Sequence, residues 1–199
     1  MSNDFKRGFT LIELLIVIGI LAILATVTVL VLNPAQLFAQ ARDGQRLNDL
    51  ETMRNGISLY LSTVSSPDMN GGNANAECAS GAGGKVYVYA APTTQSFANR
   101  SGGNVAVGAR GITGGSAGWL PVDFSAIPGG SPIANLPIDP TNSGDRIYRY
   151  ACDQVTNTFE IDGGLESTRY TSGADNKYTV DGGDNSSFYE VGNDPGLDL

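Results

Sequence analysis

Residues 9–32 form an apolar run that carries one ionisable side chain, Glu13. At about 1.5 Å of rise per residue, a helix of that length crosses a hydrocarbon layer of roughly 30 Å. Lys6 and Arg7 stand immediately before the run, so the leader, 1–8, is expected on the cytoplasmic side of a membrane and the rest of the chain on the far side. Two ordinary explanations fit such a run poorly. A secretory signal has an apolar region of only about 7–15 residues ahead of a small-residue cleavage site. A plain anchor accounts for the length, but not for Glu13 or for the Lys-Arg-Gly-Phe junction. A carboxylate costs on the order of 3 kcal/mol at the centre of a bilayer, less toward its edge, and is read as functional where a partner can be named. No partner is expected within the run itself. Cleavage after Gly8 would create one: the α-amino group of Phe9, one helical turn from Glu13 in the same chain or supplied by a neighbouring copy. Two buried charges break even only in good geometry, so such a pair would set register between subunits more than it adds stability.

The stretch Gly8-Phe9-Thr10-Leu11-Ile12-Glu13-Leu14 resembles the N-terminal processing signature of type IV prepilins and pseudopilins. The resemblance implies that a membrane-embedded prepilin peptidase and methyltransferase cuts after Gly8 and methylates Phe9. It implies that Glu13 guides assembly into a homopolymeric filament, built from the membrane by an inner-membrane assembly platform and standing in the periplasm or outside the cell.

The same reading divides the chain into the leader 1–8, a transmembrane and filament-core helix 9–33, an amphipathic helical half 34–64 and a globular part 65–199. In 34–64 the apolar positions Leu47, Leu50, Met53 or Arg54, Ile57, Tyr60 and Leu61 recur at helical spacing. Asp43 with Arg46, and Glu51 with Arg54, are placed to pair across a turn. Joined, the two halves make a helix of about 54 residues, roughly 80 Å long. Gly19, Thr26, Thr28 and Asn33-Pro34 mark its weak part, and the alternative is that Pro34 opens a second helix, a position proline tolerates. Beyond it, 65–84 reads as a linker and 94–119 as a glycine-rich insert with short apolar pieces at 104–107 and 112–113. Strands are expected over 85–90, 146–152 and 158–162, with 153–157 as a turn and edge strands at 177–180 and 187–191. Alternation places Ile147, Arg149 and Ala151 on one face and Tyr148, Tyr150 and Cys152 on the other. The expected fold is α+β, a long N-terminal helix packed on a small antiparallel sheet. Leu136-Pro-Ile-Asp-Pro140 followed by Tyr148-Arg-Tyr150 resembles an element of G-type pseudopilins, the major subunit of type II secretion filaments that drive protein export.

The chain carries a net charge of −8, and twelve of its twenty acids lie from Asp139 onward. That balance argues against nucleic-acid binding by the globular part, which needs clustered cations. Histidine is absent, which removes the commonest general base and zinc ligand. No enzyme is expected. The sequence Gly81-Ala-Gly-Gly-Lys85 fails as a phosphate loop because Ala79 stands at the first glycine position and Val86 follows the lysine. Cys78 and Cys152 match no metal spacing. In an exported domain they would form one disulfide, the alternative being a buried thiol at Cys152 and a loop residue at Cys78. Asp175, Asp181 and Asp184 lie in an acidic, glycine-bearing stretch whose composition suits calcium, as the resemblance to G-type pseudopilins also implies. The alternative is a solvated turn. A reading from a different class is a monomeric, membrane-anchored extracellular binding domain that uses the insert to hold a ligand.

Overall fold

A computed structural model of the chain describes residues 8–72, 77–79, 81, 83–90, 97 and 100–199. The leader up to residue 7, and parts of the linker and insert, lie outside the described residues. The chain divides into two compact units, Met1–Phe38 and Ala39–Leu199.

In the first unit, α1 spans Leu11–Leu32 and buries no residue. Its two threonines satisfy their hydroxyls on the helix itself, Thr26 Oγ1 donating to the Ile23 carbonyl at 2.8 Å and Thr28 Oγ1 to the Ala25 carbonyl at 2.9 Å. That is the economical solution where no water reaches. The helical run Leu11–Thr63 is interrupted at one residue, Asn33, whose φ of 41° and ψ of 74° are left-handed. Asparagine tolerates that region better than most residues. The Asn33 carbonyl then accepts from Gln36 N at 3.0 Å and opens α2, Pro34–Thr63, with proline at its first position. The alternative reading of Pro34 therefore describes this junction.

In the second unit, α2 supplies Leu50, Met53, Ile57 and Tyr60 to the core, at helical spacing. Gly56 lets the helix approach closely: a Cβ there would meet Phe124 Cε1 at 3.2 Å. The helix covers one face of a five-stranded sheet of order β2-β1-β3-β4-β5, with β1 Val86–Tyr89, β2 Asn104–Val107, β3 Tyr148–Asp153, β4 Thr158–Gly163 and β5 Tyr189–Gly192. Tyr148, Tyr150 and Cys152 face this core with Phe159, Ile161 and Val191, while Ile147 and Ala151 join a second cluster on the opposite face with Val86, Val88 and Leu199. The sheet is mixed, because β1 pairs with β2 in parallel. The long connection 90–103 makes that possible, since parallel neighbours need a crossover of a dozen or more residues. Residues 177–180 are not a strand. Their backbone turns, with Val180 N donating to the Lys177 carbonyl at 3.4 Å, and is tied to distant residues, Lys177 N donating to the Tyr170 carbonyl at 2.8 Å and the Tyr178 hydroxyl accepting from Leu165 N at 2.7 Å.

The segment read as a linker is tied down where it is described. Met69 is fully buried, its N–H donating to Gln154 Oε1 at 2.8 Å. Cys78 and Cys152 are joined by a disulfide across a separation of 74 residues, and closing a loop of that size is worth up to roughly 4 kcal/mol in the chain-entropy model.

Two of the buried positions on α2 are ions. Arg46 Nε and Nη2 donate to both Asp139 oxygens at 2.6 and 3.0 Å, and Nη1 donates to Asp43 at 2.8 Å and lies 2.6 Å from Glu166. Asp43 also accepts the backbone N–H groups of Glu166 and Ser167. Arg42 grips Glu166 at 2.8 and 2.6 Å. The guanidinium groups of Arg42 and Arg46 hold the Glu166 carboxyl down at about 2. Because its folded value is depressed, Glu166 stabilises the head above the ordinary value of 4.5 and loses that contribution as pH falls toward about 2.

Replacing Arg46 with methionine leaves Asp43 and Asp139 buried without their cation. The expected loss is about 3–5 kcal/mol, read by denaturant unfolding followed through the buried Trp119. In the wild-type chain, stability should fall between about pH 4.5 and 2, and this acid limb should shrink in Glu166→Gln.

Candidate functional site

Gly8 and Phe9 stand exposed ahead of α1, Phe9 at 86 % of its full accessibility. A Cβ added to Gly8 would meet nothing within 4 Å. The fold therefore sets no requirement for glycine at this position. Thr10, extended at φ −84° and ψ 151°, is the N-cap of α1. Its backbone N–H and its hydroxyl both donate to Glu13 Oε2, at 2.9 and 2.8 Å, and its Oγ1 accepts from Glu13 N at 3.3 Å. This is a capping box, in which two orphan backbone donors of the first turn are satisfied reciprocally.

The arrangement corrects the expectation that Glu13 finds no partner within the run. Thr10 is that partner, through hydrogen bonds and without charge. The signal was present as Thr-x-x-Glu immediately before an apolar stretch. A carboxylate at this position also sits favourably against the positive end of the helix dipole. The capping box leaves the negative charge of Glu13 uncompensated, because neither Thr10 group is a cation.

Two of the three aspartates expected to suit calcium are engaged in other ways. Asp175 pairs with Lys177 at 2.9 Å and with Arg169 at 3.3 Å. Asp181 accepts the backbone N–H groups of Gly183 at 3.3 Å and Glu190 at 3.0 Å. Asp184 is exposed. Among the described residues, no group of three or more histidine, cysteine, aspartate or glutamate side chains is placed to hold a metal ion, these three included.

Residues 4–29 match the family model described as the prokaryotic N-terminal methylation motif. With that motif in place, the long N-terminal helix and the small sheet behind it complete the pattern. This combination fits a type IV pilin-like protein. No curated protein and no solved structure matches it. The motif marks structural pilin-type proteins and implies processing by a prepilin peptidase. Together with a helix long and apolar enough to cross a membrane, it indicates a single-pass membrane anchor in this pilin-like chain.

The two elements that resemble G-type pseudopilins lie where α2 meets the sheet. Asp139 is the buried acceptor of Arg46, and the Tyr148 hydroxyl donates to Asp49 Oδ2 of α2 at 2.9 Å. The Tyr150 hydroxyl donates to the Met69 carbonyl at 3.3 Å. The Leu136–Pro140 loop is pinned by Trp119 Nε1, which donates to the Pro137 carbonyl at 2.9 Å, and by Arg110 Nε on the Leu136 carbonyl at 2.7 Å.

Thr10→Ala should remove both hydroxyl-borne bonds of the capping box at a cost of about 1 kcal/mol to the first turn. Amide exchange of Glu13 in micelles should accelerate roughly fivefold, and Thr10→Ser should restore the wild-type rate. An unchanged rate in the alanine variant would show that the box does not hold the first turn.

Proposed function

We propose that the chain is a structural subunit of a type IV pilus-like filament. It is made as a prepilin, cut after Gly8, methylated at Phe9 and assembled through its apolar helix. The observation that carries this reading is a carboxylate in the first turn of an apolar helix that has no buried residue, shortly after a Gly-Phe junction whose glycine the fold does not require. An apolar surface of that size stays out of water. Lipid covers it before assembly and the helices of neighbouring copies cover it afterwards. Within a filament, Glu13 would meet the Phe9 amine of an adjacent copy, which supplies the charge that Thr10 lacks. Glu13 and Phe9 are thus the assembly pair, and the leader is the part removed. The pair Cys78–Cys152 would then hold the exported head closed, in a compartment that permits disulfides.

A second reading is the major pseudopilin of a type II secretion system. The ties of Asp139 to Arg46 and of Tyr148 to Asp49 favour it, because the residues resembling G-type pseudopilins are those that fasten the head to its helix.

Expression beside a prepilin peptidase should yield a subunit that starts at methylated Phe9, read by mass spectrometry. Gly8→Ala should leave the full-length membrane species. Glu13→Ala should be processed as before but disappear from sheared surface filaments. A native protein that begins at Met1 and stays as single copies in the membrane would end this proposal and favour an anchored binding domain.

A further inference from the structure

The face of the sheet turned away from α2 carries a buried layer of ions. Arg149 of β3, Asp162 of β4 and Glu190 of β5 are direct cross-strand partners, so they form one rung across three strands. Glu160 lies one rung further along β4, opposite Gly192. All four side chains are at most 2 % exposed. Arg149 Nε donates to Asp162 at 2.6 Å and its guanidinium stacks on the Phe188 ring at 3.7 Å. That cation answers Asp162, which leaves Glu160 and Glu190 as two neighbouring carboxyl groups in a dry layer.

Two segments cover them, 181–188 and 193–199. Asn185 N donates to Glu190 Oε2 at 3.1 Å, and Leu199 N donates to Glu160 Oε2 at 3.2 Å. Gly183 lies so close over the Glu190 carboxyl that no side chain would fit there, and a Cβ on Gly192 would strike Leu197. Leu199 itself packs into the apolar cluster of Val86, Val88, Ile147 and Ala151. The remaining Glu160 oxygen, Oε1, is buried and meets no donor among the described residues. A buried acceptor without a donor is costly. Glu190 is the diagonal neighbour of Glu160 across β4 and β5 on the same face, and a carboxyl becomes a donor by taking up a proton.

We propose that Glu160 and Glu190 share one proton, and that this proton holds the covers 181–188 and 193–199 on the sheet, so that its loss releases them. With the proton in place, the two acids form an O–H···O bond and carry one negative charge between them. Without it, two like charges face each other in a layer where both side chains are at most 2 % exposed. The other charged groups around the pair have their own partners. Asp162 is bonded to Arg149 through one oxygen only, and burial still raises it to about 6, so it titrates on the same rung; Arg100 donates to the Cys152 carbonyl at 2.8 Å, and Asp181 accepts Glu190 N. Asp153 accepts Val155 N, and Asp194 accepts Asp198 N. Glu51, Arg54 and Lys177 line the cleft beside β5 into which Glu190 also opens. Burial, and then the neighbouring acids, push both glutamates above the ordinary carboxylate range. A raised folded value means that the covered state holds its proton more tightly than the released one. The covers are therefore most secure below about pH 4.5 and loosen as pH rises through neutrality. Release would uncover the apolar cluster beneath Leu199.

Hydrogen exchange of the full chain in micelles, read by mass spectrometry from pH 5 to 9 and corrected for intrinsic rates, tests this. Peptides from 181–188 and 193–199 should lose protection by about tenfold or more across that range, while those from Tyr148–Asp153 stay protected. In Glu160→Gln the amide N–H₂ supplies the donor at every pH, so the covers should stay closed throughout, and Glu190→Gln should do the same. Covers that exchange equally at pH 5 and 9 would overturn the proposal, as would either variant keeping the wild-type profile. Loss of β3 protection together with the covers would show general unfolding instead. Closure at pH 9 restored by calcium alone would reassign the acids to a cation and would equally overturn it.

Discussion

An apolar helix with no buried residue of its own is the constraint from which the rest follows. Every large aliphatic side chain from Leu11 to Leu32 is exposed, and neither core cluster contains a residue of α1. Burying one such side chain is worth roughly 1.5–3 kcal/mol. Summed along α1, that exceeds the whole stability of an ordinary domain, about 5–15 kcal/mol. The covering of α1 is thus a large free-energy term, and neither core cluster supplies it. A medium or a partner must supply it. The single carboxylate in the first turn makes that covering directional, because lipid satisfies the aliphatic side chains equally well at any depth but does not answer a charge.

The head solves a separate problem, which is to grip a helix whose early turns are poor in apolar residues. Between Ala39 and Leu50 the buried side chains of α2 are Asp43 and Arg46. A buried ion pair adds little net stability over a well-packed apolar pair, yet breaking one is expensive. What the pair does add is geometry. The planar fork of Arg46 accepts only acids at fixed positions, so Asp139 and Glu166, far apart in sequence, must both be in place. Register between helix and sheet is set by that requirement. Leu50, Met53, Ile57 and Tyr60 then supply the bulk of the burial further along.

Much of this was legible from residue order. The apolar run, the helical stripe from Leu50 to Tyr60, the pairs Asp43–Arg46 and Glu51–Arg54, and the hairpin of β3 and β4 all follow from local periodicity and local charge. The parallel pairing of β2 and the docking of Met69 did not, because they depend on contacts remote in sequence. Residues 177–180 read as a strand from their β-branched and aromatic content, but the tertiary bonds of Lys177 and Tyr178 override that propensity. At the candidate site, Gly8, Phe9 and Glu13 stand out by type and spacing. The role of Thr10 does not follow from the charge of Glu13, which calls for a cation, because Thr10 answers that carboxylate by hydrogen bonds alone.

The two faces of the sheet differ in what they ask of the surroundings. Under α2, Tyr150, Phe159 and Ile161 are buried by contacts that carry no charge, and the ions that accompany them are Arg46 with acids whose values are held low, Asp139 and Glu166. The opposite face alternates the same strands to present Arg149, Glu160 and Asp162, a pattern that reads as solvent-facing and is instead roofed by short segments. There the acids are shifted upward, Asp162 to about 6 because burial outweighs the pull of Arg149. On the proposal above, proton activity acts on the outer roof at higher pH than on Glu166 in the Arg46 cluster that holds α2 to the sheet.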